Sequence, residues 1–304
     1  MKLPKNKALT ADLMILLSAL LWGGEYVVVK DMVDYLPPNW INAFRFIAAA
    51  AIMFPFIRKR LKTSGIGEIK AGLLLGFFMF GGFTAQTIGI QYTTAAKSGF
   101  LTSTYVIMVP FIYWLIRRRF PGVRSMISAV ICIIGISFIS LEGDLSLNPG
   151  DLLTILAALF FSGSIIGFDY YAKKYDPLNL TFVEMLSGGL ISLGAALVFE
   201  SVPTGISWGA LEIFQIFYLV VLGSLLCHIL SNVAMKWAES SHASILWSLE
   251  SVFALVFGII FLREGISIQS LIGFSLVFIA VVVNETGKTS KIETLGPAAT
   301  DTSH

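Results

Sequence analysis

Charge is scarce in this sequence. Only 13% of its 304 residues are Asp, Glu, Lys or Arg, about half the roughly 25% of a soluble domain. A 33.2 kDa body with so few charges cannot face water on all sides, which argues against both a soluble enzyme and a disordered chain. The net charge of +2 includes no basic stripe for neutralising phosphates, so no nucleic-acid partner is expected. Cysteine is nearly absent as well. Cys132 and Cys227 both lie inside apolar runs, leaving no disulfide framework and no CxxC metal site. A phosphate-binding glycine loop, an HExxH zinc motif and a GxSxG elbow are also missing. Neither an enzyme nor a bound metal or cofactor is expected.

What the chain has instead is apolar sequence, 56% of its residues, with a mean hydropathy of +0.81. A bilayer core about 30 Å thick needs roughly 20 mostly apolar residues per helix. Ten runs approach that length, near 11–30, 39–57, 70–91, 97–116, 124–141, 151–171, 180–200, 212–236, 243–262 and 267–284. The sequence predicts an all-α integral membrane protein with ten transmembrane helices. Connections are short and house no soluble domain. Residues 285–304, rich in Thr, Ser, Gly and Ala, are expected to form a disordered cytoplasmic tail. The first run follows Lys2, Lys5 and Lys7 as a signal peptide would, but it is longer than an h-region and holds Glu25, so it reads as a membrane helix.

Basic residues favour the cytoplasmic side and set the orientation. With both termini inside, the N-terminal lysines, the 58–62 cluster with Lys70, the 117–124 cluster, Lys173, Lys174, Lys236, Lys288 and Lys291 are cytoplasmic. Only Lys30, Lys97 and Arg263 fall opposite, and Arg45 lies within a span. The sequons at Asn179 and Asn284 then face the cytoplasm and should stay unmodified. Short loops suit the plasma (inner) membrane of a prokaryote.

The chain also matches itself. A shift of 139 lays Asp12-Leu13-Met14 and the run to Trp22-Gly23-Gly24 on Asp151-Leu152-Leu153 and the run to Phe161-Ser162-Gly163. The same shift puts Pro38 on Pro177 and Arg45 on Glu184, and a shift of 145 puts Leu101 on Leu246 and Tyr105 on Glu250. The expected division is 1–146 and 147–284, five helices each. An odd number inverts the second half relative to the first, an arrangement suited to alternating access around a midplane site.

Leu21-Trp22-Gly23-Gly24-Glu25-Tyr26-Val27-Val28-Val29-Lys30, followed by Pro37-Pro38 and Arg45-Phe46, resembles the first helix pair of EamA-type transporters of the drug/metabolite transporter superfamily. Gly89-Ile90-Gln91-Tyr92-Thr93-Thr94-Ala95-Ala96 resembles their third-to-fourth helix junction. Ser248-Leu249-Glu250-Ser251-Val252-Phe253-Ala254, with Arg263-Glu264-Gly265, resembles their ninth helix, with Ser251 where the family often has Pro. The resemblance implies a ten-helix, two-repeat carrier of small organic molecules, often an exporter. It does not imply a particular substrate.

Ionisable residues at membrane depth cost about 2.5–3.5 kcal/mol each on insertion scales and point to function. At 1.5 Å per residue, Glu25 and Arg45 lie roughly 7 Å and 9 Å from the same end of an antiparallel hairpin, and they are expected to pair. The pair is either a clamp on the hairpin or an extracellular gate and contact for a substrate carboxylate. His228 and Glu250 match in depth from the other end. They form either a proton-coupling pair or a core histidine beside a buried, protonated Glu. Glu184 and Asp169 lie nearer the cytoplasmic face, where headgroup water should reach them. Lys97 and His242 read as snorkelling anchors. Trp22, Gln86, Tyr105, Asn232 and Trp247 sit within spans, either to wall off and orient a solute or to fill gaps between helices. Trp40, Trp114 and Trp208 read as interface belt, Pro110 as a hinge, and Gly72 with Gly76 as a packing surface.

Together these features favour a secondary transporter exporting amino-acid-like or other amphipathic metabolites over an importer of similar compounds. A membrane enzyme or sensor would gather its polar residues at one place, and a channel would favour a symmetric ring. Organic phosphates would ask for several Lys or Arg within the spans. The expected partners are the solute and the lipid bilayer, with a monomer or homodimer as the working unit.

Overall fold

A computed structural model describes residues 5–118, 120–140, 148–205, 208–234 and 240–286. All regular structure among these residues is helical. Apolar sequence in lipid has little alternative, because no water is present to receive backbone N–H and C=O groups and a helix pairs them internally. The chain begins with three long helices, α1 (Lys5–Met32), α2 (Pro38–Leu61) and α3 (Ile66–Tyr92). α4 (Ala95–Thr102) and α5 (Tyr105–Arg117) share the next stretch, followed by α6 (Val123–Ser140), α7 (Pro149–Tyr171) and α8 (Pro177–Phe199). α9 (Ala210–Phe217) passes through a π-helical segment, Tyr218–Leu226, into α10 (Cys227–Ala234), and α11 (Ser240–Leu262) and α12 (Ile268–Thr286) follow. Eight stretches are long and apolar enough to cross a membrane; Leu246–Leu262 and Ile268–Asn284 are apolar but shorter. Residues 287–304, most of the expected tail, lie outside the described residues, as do Lys236 and the His242 side chain.

Helix ends are capped across the sequence. Lys30 at the end of α1 donates to the carbonyls of Ile90 (2.8 Å) and Gln91 (3.3 Å), which α3 leaves open at its C-terminus. Glu264 accepts from Ala95 N (2.6 Å) and Ala96 N (3.1 Å) at the start of α4, where a carboxylate suits the helix dipole. Two residues inside the family-like motifs thus hold the α3–α4 junction from either side.

The break after α4 falls at Ser103–Thr104, not at Pro110. The two hydroxyls fold back onto the carbonyls of Phe100 (2.9 Å) and Leu101 (2.6 Å) and compete with the helical ladder. Pro110 lacks the N–H that would reach Val106 four residues earlier. Asn284 Nδ2 of α12 donates to that carbonyl instead, at 3.2 Å.

α2 and α8 lie side by side and antiparallel. Arg60 meets Asp176 at 3.0 Å at one end, while Glu200 accepts from Asn39 N (3.0 Å) and Asn39 Nδ2 (2.8 Å) at the other. Glycines allow the closest crossings. A Cβ on Gly72 would lie 2.5 Å from Val183 Cβ, one on Gly76 would collide with Ser187, and one on Gly273 of α12 would lie 2.8 Å from the Gly135 carbonyl of α6.

Candidate substrate site

Arg45 is 1% exposed and Glu25 5%, both deep among apolar helices. Arg45 Nη1 lies 2.6 Å from Glu25 Oε1, so the hairpin of α1 and α2 brings the expected partners together. Arg45 Nε donates to Ser224 Oγ at 2.9 Å. The rings of Phe46 and Phe83 lie 4.6 Å and 4.7 Å from its Cζ, close enough for cation–π attraction. Glu25 Oε2 and both terminal nitrogens of Arg45 have no hydrogen-bond partner among the described residues, Nη1 meeting Glu25 Oε1 as an ion pair only. Burying a charge pair is costly and is offset only when the remaining polar atoms are also satisfied. Here they are not, so stability alone is a poor explanation for the pair.

The π-helical segment supplies the other wall. Its i→i+5 winding shifts carbonyls off the regular ladder, as often occurs at functional sites. The Gly223 carbonyl accepts from Trp22 Nε1 at 3.1 Å, and a Cβ on Gly223 would lie 2.6 Å from Glu25 Oε2. Glycine is needed there for the carboxylate to fit. His228 Nδ1 lies 2.8 Å from the Ser224 carbonyl; only an N–H can bond there, so Nδ1 carries a proton. Trp22 stands edge-on to His228 at 5.8 Å and next to Trp247 at 6.5 Å, and Trp247 Nε1 donates to Ser18 Oγ at 3.3 Å.

His228 and Glu250 have different partners and, among the described residues, no contact joins them: His228 in α10 turns back onto the Ser224 carbonyl of the π-helical segment, whereas Glu250 bonds to Tyr105. Gln86 Nε2 donates to Tyr26 Oη (3.2 Å) and Thr102 Oγ1 (3.0 Å). Asn232 sits apart from the ion pair and donates to Thr181 Oγ1. Glu184 is 5% exposed and accepts from Ser164 Oγ at 3.2 Å. Packing between α3, α7 and α8 therefore shields it from the headgroup water expected near the membrane face. Trp40 and Trp208, expected as belt, line a recess of about 190 Å³ that reaches Arg45 from the α1–α2 turn end. Ser224, Gly223, Phe83 and Ser18 were not among the expected site residues. Small or apolar residues inside apolar runs carry no distinguishing signal in the sequence.

Among the described residues no group of three His, Cys, Asp or Glu could hold a metal ion. Long apolar helices around a buried ion pair with aromatic walls define a multi-pass membrane protein of the transporter class. The chain belongs to the EamA-like transporter family, whose model matches it twice, over residues 9–141 and 148–286. It is 31% identical over 277 residues to an uncharacterized transporter of Archaeoglobus fulgidus, covering 91% of this chain and 86% of that one. It is 23% identical over 272 residues to the uncharacterized transporter YoaV of Bacillus subtilis, covering 87% and 93%. A crystal structure 14% identical in sequence shares the fold, with a TM-score of 0.64 over 90% of this chain and 96% of that one.

Proposed function

We propose that this protein is a secondary transporter that exports amino-acid-like or other amphipathic metabolites by alternating access. The buried Glu25–Arg45 pair carries this reading, because it joins both halves: Arg45 bonds Glu25 of α1 and Ser224 of the π-helical segment. A solute that takes over one of those contacts weakens the tie between the halves, giving binding a route to conformational change. Trp22, Trp247, Gln86, Tyr105 and Asn232 wall and orient the solute along this path, and His228 and Glu250 act as separate polar stations for proton coupling. The proposed topology is ten spans in two inverted five-helix repeats, 1–146 and 147–284, with both termini on the cytoplasmic side of the plasma (inner) membrane. Support comes from the two family matches, the antiparallel α2 and α8, and the distribution of Lys and Arg.

The test is counterflow in proteoliposomes loaded with a pooled metabolite mixture and read by mass spectrometry against protein-free liposomes. Selective exchange of a few compounds, lost in Glu25→Gln, is the expected result. No exchange by folded protein, even with a proton gradient imposed, sinks the reading.

A further inference from the structure

Trp22 of α1, His228 of α10 and Trp247 of α11 are half-buried, although each packs against interior groups. Trp22 stands 5.8 Å from His228 and 6.5 Å from Trp247, and His228 lies 6.5 Å from the buried rings of Phe46 and Phe83. Exposure on side chains that turn inward marks open space within the bundle, so these rings border an internal chamber. Their polar atoms are mostly spent. Trp22 Nε1 donates to the Gly223 carbonyl and Trp247 Nε1 to Ser18 Oγ. His228 Nδ1 donates to the Ser224 carbonyl, which leaves Nε2. No group among the described residues bonds to Nε2, and unlike the terminal nitrogens of Arg45 it is not a sealed atom. No carboxylate among them touches the ring to hold a second proton, so Nε2 presents a lone pair.

Asn232, also half-buried, lies four residues further along the same face of α10. Thr181 Oγ1 spends its hydrogen on the Pro177 carbonyl at 2.8 Å, and must therefore accept from Asn232 Nδ2. This fixes the amide and leaves its carbonyl oxygen without a partner among the described residues. One face of α10 thus carries two unfilled acceptors beside two indole rings. Few polar groups on aromatic walls are what a small-molecule site needs to fix orientation.

Resting on the transporter reading of the same path, we infer that His228 also receives the solute, through an N–H donated to Nε2. A flat apolar body lies against Trp22 and Trp247, and the Asn232 carbonyl takes a further N–H where the solute has one. This narrows amphipathic metabolites to those whose polar end donates hydrogen bonds, amines and N–H heteroaromatics, with amino-acid ammonium groups among them.

Isothermal titration of the purified full chain with indole and benzofuran, against empty micelles, tests it without mutation. The two share a bicyclic shape and carry no charge, but benzofuran has an oxygen in place of the N–H. Indole should bind about three- to tenfold more tightly, the net worth of one neutral hydrogen bond. Equal binding, or tighter benzofuran, overturns the inference. His228→Phe keeps an aromatic ring and removes the acceptor, and should bring indole to within twofold of benzofuran while leaving benzofuran little changed. An indole preference that survives in that variant takes His228 out of the site. If the variant does not fold, the comparison in the native chain still decides. Counterflow separates the two readings. An indole preference without flux of any compound ends the transporter reading and keeps the site. Flux by a chain that binds indole and benzofuran alike ends the site and keeps the transporter.

Discussion

Glu25 and Arg45 have counterparts 139 residues further on, Ser164 and Glu184, and the two pairs differ in kind. The first is a full ion pair at 2.6 Å; the second is a hydroxyl donating to a carboxyl at 3.2 Å. The neighbours diverge in the same direction. Trp22 bonds to the Gly223 carbonyl, whereas its counterpart Phe161 lies over Gly82, so close that a Cβ there would be 2.6 Å from the ring. The first half presents an ion pair and an indole N–H at these positions, and the second a hydroxyl–carboxyl pair and a phenyl ring. The two halves that match one family model therefore differ in the polar groups they carry at equivalent positions.

The largest effect should separate these two pairs directly. Arg45→Ala strands a buried Glu25 carboxylate and should cost about 3–5 kcal/mol, read as a large drop in unfolding temperature or loss of folded protein in detergent. Glu184→Gln keeps the acceptor for Ser164 and should cost within about 1 kcal/mol. Equal losses would erase the distinction between the halves. Removing both charges together, as Glu25→Gln with Arg45→Met, should recover much of the stability while abolishing counterflow, because the stranded charge is what destabilises the single variant.

The next effect down concerns the π-helical wall. Gly223→Ala puts a methyl against Glu25 Oε2, and overpacking of this kind costs about 1–3 kcal/mol; counterflow should fall with it. Gly194→Ala on α8, where a Cβ meets nothing within 4 Å, should be neutral or stabilising by about 0.4–1 kcal/mol. If both substitutions are silent, the close fit of glycine and carboxylate has no consequence. A smaller effect sits at the α5–α12 contact. Asn284→Ala should cost about 1 kcal/mol in the native chain. In a Pro110→Ala background it should cost less, since an alanine N–H can return to Val106. A double-mutant cycle showing no coupling would mean that the Asn284 bond is not a substitute for the one proline removes.

The Glu25–Arg45 contact was legible because hairpin geometry converts residue count into depth, and two ionisable residues at one depth in apolar surroundings have few other partners. The long helices were legible for a similar reason, since an uninterrupted apolar run in lipid has few other folds. The π-helical segment was not. Tyr218–Leu226 is apolar throughout except for Gly223 and Ser224, and composition does not distinguish i→i+4 from i→i+5 winding. Proline drew attention to position 110, but the actual break depends on Ser103 and Thr104 hydroxyls choosing backbone carbonyls, a choice their residue type permits without requiring. Trp40 and Trp208 look like interface residues by position; both line the recess that Arg45 also lines, while Trp208 stays 53% exposed. Depth along one helix is readable from sequence, whereas facing between distant helices is not.

The two ends of the α2–α8 contact offer the smallest test. At one end Arg60 and Asp176 pair across exposed surface, with the Arg60 side chain 56% exposed. At the other, Glu200 accepts from the backbone of Asn39 and Trp40, where α2 has no side-chain cap of its own. An exposed ion pair is worth about 0–1 kcal/mol, while losing a helix cap costs about 0.5–2 kcal/mol. Glu200→Ala should therefore lower the unfolding temperature more than Arg60→Ala, and added salt should shrink the Arg60 effect further. The reverse order would mean that charge at the Arg60 end matters more to the pairing of these helices than backbone capping at the other.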